Sequence, residues 1–205
     1  MKKVLIVIDS LSSGGAEKSL ISLLTSLDYE KYDVDLLMFS TTGLYLSLVP
    51  NEVKIQSVPQ FIKIQQKSLY SVIRNRNYKE LLFRVANSIS LRNPIQNKRF
   101  HQSQITWKWM NLAIDKLNTD YDIAIAYSQG IPTYFVAEKV NAPKKLCWLN
   151  TDYKKANYNR DYDIKFYEKF NHIIAVSEIN KEIFEDTIPE MRGRCVLFMI
   201  LSLKN

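Results

Sequence analysis

The sequence predicts a doubly wound α/β domain in which a mostly parallel sheet of about six to seven strands carries helices on both faces. Three observations support this. Short apolar runs such as VLIVI at 4–8 are nearly continuous rather than alternating, as in strands buried on both sides. Longer stretches of helical period separate these runs, which suits right-handed crossovers between parallel strands. Small polar turns of Ser, Gly and Asn follow several runs, where strand gives way to helix.

In chain order the strands fall at residues 3–8, 32–39, 53–58, 122–127, 145–149, 172–176 and 195–200. Each is a β-branched or apolar run short enough to be a strand rather than a buried helix. Helices are expected at 16–27, in pieces of 62–90, and at 101–117, 132–140, 163–170 and 178–186. The first opens after Gly14-Gly15 with Glu17 in its first turn. The basic stretch sets Leu81, Val85 and Ile89 at helical spacing, and Ser177 is placed to cap the last helix. Repeats, low-complexity tracts and Gly/Ser linkers are absent, so residues 1–205 read as one domain.

An apolar fraction of 46% and twelve tyrosines provide a substantial core and exclude a disordered chain. Cys147 and Cys195 each stand inside an apolar run, a spacing that fits neither zinc nor a disulfide framework. Asp9 interrupts the first apolar run too early for a signal peptide, and no run of about 18 apolar residues spans a membrane. A cytoplasmic protein is the expectation. The net charge of +7 is uneven: residues 61–110 hold ten bases against one acid, Glu80, while the remainder is slightly acidic. An anionic partner should meet that segment.

Ligands of open parallel sheets bind at the carboxyl ends of the strands, so the turns there name the candidate site. The first strand is followed by Ser12, Ser13, Gly14 and Gly15, the fourth by Ser128, Gln129 and Gly130. The fifth leads into Asn150, Thr151 and Asp152, and the sixth into Ser177 and Glu178. Such residues suit a hydroxyl-rich ligand and equally suit ordinary helix capping. The double glycine lacks the third glycine of a dinucleotide fingerprint, and Glu17 rather than Gly precedes Lys18-Ser19, so no Walker loop is present. A carboxylate at Glu17 favours the helix dipole but competes with a phosphate for the same positive end. Close backbone approach to a sugar, or to one phosphate, is expected here rather than a tight pyrophosphate site.

SSGGAEKSL, YSQGIP, WLNTDY and AVSE follow or end the first, fourth, fifth and sixth strands in that order. From residue 3 to about 194 the pattern resembles the N-terminal, acceptor-side domain of the family 4 retaining glycosyltransferases, one Rossmann-like half of a GT-B fold. The resemblance implies sugar transfer from a nucleoside diphosphate sugar to a glycan or lipid-linked acceptor in bacterial surface polysaccharide or glycolipid biosynthesis, without a metal or other cofactor. It implies that Gly14 and Gly15 lie against the donor diphosphate or the acceptor. Many members carry a His where Asn150 stands, and an amide hydrogen-bonds a hydroxyl but does not titrate near neutrality. Asp152 is the nearest carboxylate, an anchor or a general base; these two are the candidates for chemistry. Members continue into a donor-binding domain with a Glu pair separated by seven residues. Glu182 and Glu190 have that separation, but Pro189 breaks the helix between them. The donor would therefore be held mainly by a C-terminal domain or a partner chain, and residues 1–205 alone are expected to lack catalysis. The alternative is a non-catalytic acceptor-binding or membrane-docking subunit of a split enzyme.

The basic segment, with Arg74, Arg76, Lys79, Arg84, Arg92, Lys98 and Arg99, has three readings. It can be a solvated helical face, a contact with the anionic inner face of the plasma membrane, or, ranked last, a nucleic-acid surface on which Tyr78, Trp107 and Trp109 stack. His101 and His172 have no partner at ligand spacing, so no metal is expected. Tyr153, Tyr158 and Tyr162 are candidate sugar-stacking residues or parts of a surface loop.

Overall fold

A computed structural model describes residues 1–56 and 78–198. Seven parallel strands form one sheet: β1 (Lys2–Ile8), β2 (Tyr32–Met38), β3 (Lys54–Gln56), β4 (Ile123–Ala126), β5 (Lys144–Leu149), β6 (His172–Ala175) and β7 (Cys195–Leu197). Their order is β3-β2-β1-β4-β5-β6-β7, the Rossmann-like doubly wound arrangement. Val4 faces Val34 on one side and Ile123 on the other, so β1 and β4 flank the point where the winding reverses. The crevice at that point opens beyond Ile8 and Ala126.

The continuous apolar runs are explained by two cores, one per face. Alternate residues Val4, Ile6, Ile8, Val34, Leu36 and Met38 pack with Leu20 and Leu24 of α1 (Gly15–Ser26). Leu5, Val7, Ala124, Ala126, Cys147 and Leu149 point the other way. They meet α4 (Gln102–Ala113), α5 (Ile131–Lys139), α6 (Arg160–Tyr167) and α7 (Glu178–Thr187) through Trp107, Phe135, Phe166 and Phe184. Both cysteines are free and buried. Among the described residues no helix is long and apolar enough to cross a membrane.

Several boundaries differ from expectation for local reasons. Helix α6 starts at Arg160 rather than 163 because the Asn159 side chain accepts a hydrogen bond from Tyr162 N at 3.0 Å and caps it. Helix α4 ends at Ala113 because Ile114 turns extended. Of the pieces expected within 62–90, α2 (Tyr78–Arg92) is described, and it runs on to Arg92. It is followed by the short α3 (Pro94–Arg99), capped by Asn93. Helix α2 packs against α4 rather than directly on the sheet, burying Phe83. Arg74, Arg76, the ends of the third and seventh expected strands and the side chain of Lys79 lie outside the described residues.

Candidate functional site

Residues from four strand ends converge on one cleft of about 520 Å³. Gly15, Ala16, Glu17 and Ser19 of the β1–α1 connection form one wall. Asn150 and Thr151 after β5, with Val176 and Phe198 beyond β6 and β7, form the other. Among the described residues no Lys, Arg or His lines it. Beneath lies an aromatic layer: Trp148 stacks on Tyr127 at 4.8 Å and meets Phe198 edge-on at 5.8 Å. Tyr127 Oη shares a 2.8 Å hydrogen bond with Ser19 Oγ, and the buried Trp148 indole N–H has no acceptor among the described residues.

The two glycines do different work. A Cβ on Gly14 would collide with the Glu17 carboxylate, which lies back over the start of α1. Gly14 thus leaves room for the Glu17 carboxylate. A Cβ on Gly15 would meet nothing within 4 Å, so its backbone borders open cleft. The charge of Glu17 in the first turn of α1 competes with an anion for the positive end of that helix.

Other expected site residues are turned to structural tasks. Gln129 is buried, its Oε1 accepting from Thr151 N and Oγ1 at 2.8 Å each and its amide donating to Thr151 O at 3.2 Å. It ties the turn after β4 to that after β5. Gly130 adopts φ 81°, and a Cβ there would press on Ser103 and Tyr158. Asp152 accepts from Lys154 N at 3.0 Å and Lys155 N at 2.9 Å, closing its own turn away from the cleft lining. Ser177 caps α7 by accepting from Asn180 N at 3.2 Å, while Glu178 and Ser13 are exposed outside the lining. Asn150 does reach the cleft. Its amide nitrogen donates to Tyr127 O at 2.5 Å, which leaves Oδ1 and the second amide N–H for the cleft.

Ser128 leads to a residue the strand-end reading passed over. Its Oγ donates to Asp9 Oδ2 at 2.8 Å, bridging the β1/β4 reversal point. The crevice walls crowd the Asp9 carboxyl although water reaches it, and burial, opposed by the Ser128 bond and reinforced by Glu17, raises its pKa to about 6. The available signal was position: Asp9 is the first polar residue after an apolar run. Of the candidate stacking tyrosines, Tyr153 is withdrawn, being buried with its hydroxyl donating to Asp163 at 2.7 Å. Tyr158 stacks on Tyr153 at 5.3 Å, and Tyr162 lies under Lys108 and Lys165.

A larger cavity, about 740 Å³, opens at the opposite end of the sheet among Lys116, Lys139, Lys145 and Lys169. Lys139 donates to Asn111 O at 2.8 Å and Lys145 to Ala137 O at 3.2 Å. These lysines serve helix carboxyl ends, whose negative poles explain them without a ligand. Among the described residues no group of three or more His, Cys, Asp or Glu could hold a metal ion. Glu182 lies on α7, whereas Glu190 sits in the following turn, paired with Arg160. No family model matches the chain, and no curated protein matches it.

Proposed function

We propose that the protein is the acceptor-binding half of a GT-B glycosyltransferase of the family 4 retaining type. It would serve transfer from a nucleoside diphosphate sugar to a glycan or lipid-linked acceptor in surface polysaccharide or glycolipid synthesis. The observation that carries this reading is the cleft shared by the turns after β1 and β5, lined among the described residues by hydroxyl, amide and backbone groups and no cation. Hydroxyl, amide and open backbone at Ser19, Asn150, Thr151 and Gly15 match neutral sugar hydroxyls. Glu17 and the lack of cations among the described lining residues argue against this wall holding a diphosphate by itself. The diphosphate and its leaving-group charge then fall to a facing donor-binding domain, in the same polypeptide or in a partner chain. Asn150 offers an acceptor hydroxyl an oxygen, and Asp9 is the carboxylate of the adjoining crevice able to take up a proton near neutrality.

Amide chemical-shift mapping with soluble alkyl glycosides and with nucleoside diphosphates tests the proposal. Glycosides are expected to move Gly15, Asn150 and Thr151, while the nucleotides alone leave them in place. Nucleotide binding at these amides, or no response to any glycoside, would overturn it. If glycosides bind but no donor domain restores transfer, the protein is an acceptor-binding module without catalysis.

A further inference from the structure

Helix α2 sets Leu82, Val85 and Ile89 along one face, and they are 65, 47 and 64% exposed. Apolar rows at helical spacing normally face a core. Here Phe83 already supplies the inward contact, so the outer row is a second apolar face. Leu112 of α4, 73% exposed, continues it across a shallow groove floored by Phe83 and Trp109.

Cations stand beside this face. Lys108 is one turn from Leu112 on the same side of α4, its Nζ 3.7 Å from the centre of the Phe100 ring. Arg99 lies 5.4 Å from that ring, and Lys165 lies 4.9 Å from Tyr162, which Lys108 also approaches at 5.4 Å. None of these three cations forms an ion pair among the described residues. Burial, with Arg99 and Lys165 adding like charge, holds the Lys108 ammonium below the usual lysine range. Arg92 is exposed at the edge of the α2 row.

We propose that this α2–α4 face docks on an anionic lipid leaflet, with Leu82, Val85, Ile89 and Leu112 entering the acyl boundary and Arg92, Arg99 and Lys108 meeting headgroup phosphates. Aliphatic side chains flanked by uncompensated cations are what such an interface accommodates. A second copy of the chain would set the same cations against one another, and nucleic acid would leave the aliphatic row without a partner. The docking does not depend on the protein's role in sugar transfer.

Co-sedimentation of the full chain with vesicles of phosphatidylcholine, alone or mixed with phosphatidylglycerol, tests it. Binding is expected to require the anionic lipid. The pairs Leu82→Gln/Ile89→Gln and Arg99→Gln/Lys108→Gln should each weaken it by about tenfold or more, with circular dichroism and unfolding midpoints near those of the parent. Equal binding to both vesicle types, binding to neither, or undiminished binding by the aliphatic pair would overturn the proposal. So would a parent dimer that the aliphatic pair dissociates, or oligonucleotide binding that the same pair abolishes.

Discussion

The Glu17 carboxylate lies back over Gly14, so the positive end of α1 already faces a negative charge. Replacing Glu17 by Gln removes the charge and keeps most of the volume. Affinity for inorganic phosphate, followed by phosphorus NMR, should then rise by about two- to fivefold, the range expected for one charge at a helix terminus. An unchanged affinity would mean that the backbone N–H groups are not reached. Asp9 makes a separate prediction. If its ionised carboxylate receives a ligand hydroxyl, glycoside binding should weaken as pH falls through about 6. That pH dependence should flatten in Asp9→Asn while Ser177→Ala retains it.

Among the elements, α4, α5 and α6 are held to one another by Asp163. The buried carboxylate accepts from Gln104 Nε2 at 2.6 Å and from Tyr134 and Tyr153 hydroxyls at 2.7 Å each. Asp163→Ala takes the acceptor from two buried hydroxyls and from one N–H of Gln104, whose other N–H keeps Asn159 O, and should cost about 3 kcal/mol or more in denaturant unfolding. Asp163→Asn keeps an oxygen for Gln104 and Tyr134, and Tyr153 can turn to accept, so its cost should be far smaller. Ser177→Ala should cost about 1 kcal/mol through the lost cap of α7. The strands were legible because burial on both faces writes itself as uninterrupted apolar runs. Helix α3 was not, because six residues give no apolar period; only Asn93-Pro94 marks its start. The strand-end turns were legible as a group, but the division of labour within them was not. Gln129 looks like Asn150 in sequence, and only the neighbouring ends of β4 and β5 decide that one clasps Thr151 while the other reaches the cleft. Asp163 was equally hidden, since its three donors come from α4, α5 and a loop.

For the molecule as a whole, Asp9 and Asp163 both have pKa values raised to about 6 from an ordinary 3.8, in each case chiefly by burial. The unfolded chain therefore loses these protons first as pH rises. Stability should fall between about pH 4 and 6 and change little above, the reverse of a carboxylate stabilised by an ion pair. The Asp163 share is up to about 3 kcal/mol, and the Asp9 share is smaller because water reaches its carboxylate. Thermal midpoints across this window should show the decline, with a shallower slope in Asp163→Asn. A flat parent profile would mean that neither group holds its proton as the fold suggests.

The strand order also has a consequence for how the chain is made. Lys3 N donates to Asp122 Oδ2, a contact 119 residues apart, because β4 rather than a sequence neighbour completes the second edge of β1. On a translating ribosome β1 can pair with β2 soon after both emerge, but its other edge must wait for β4. At about 5–20 residues per second that wait lasts roughly 6–24 s. Throughout it the VLIVI strand presents open backbone and apolar side chains, a natural substrate for a chaperone that shields nascent strands.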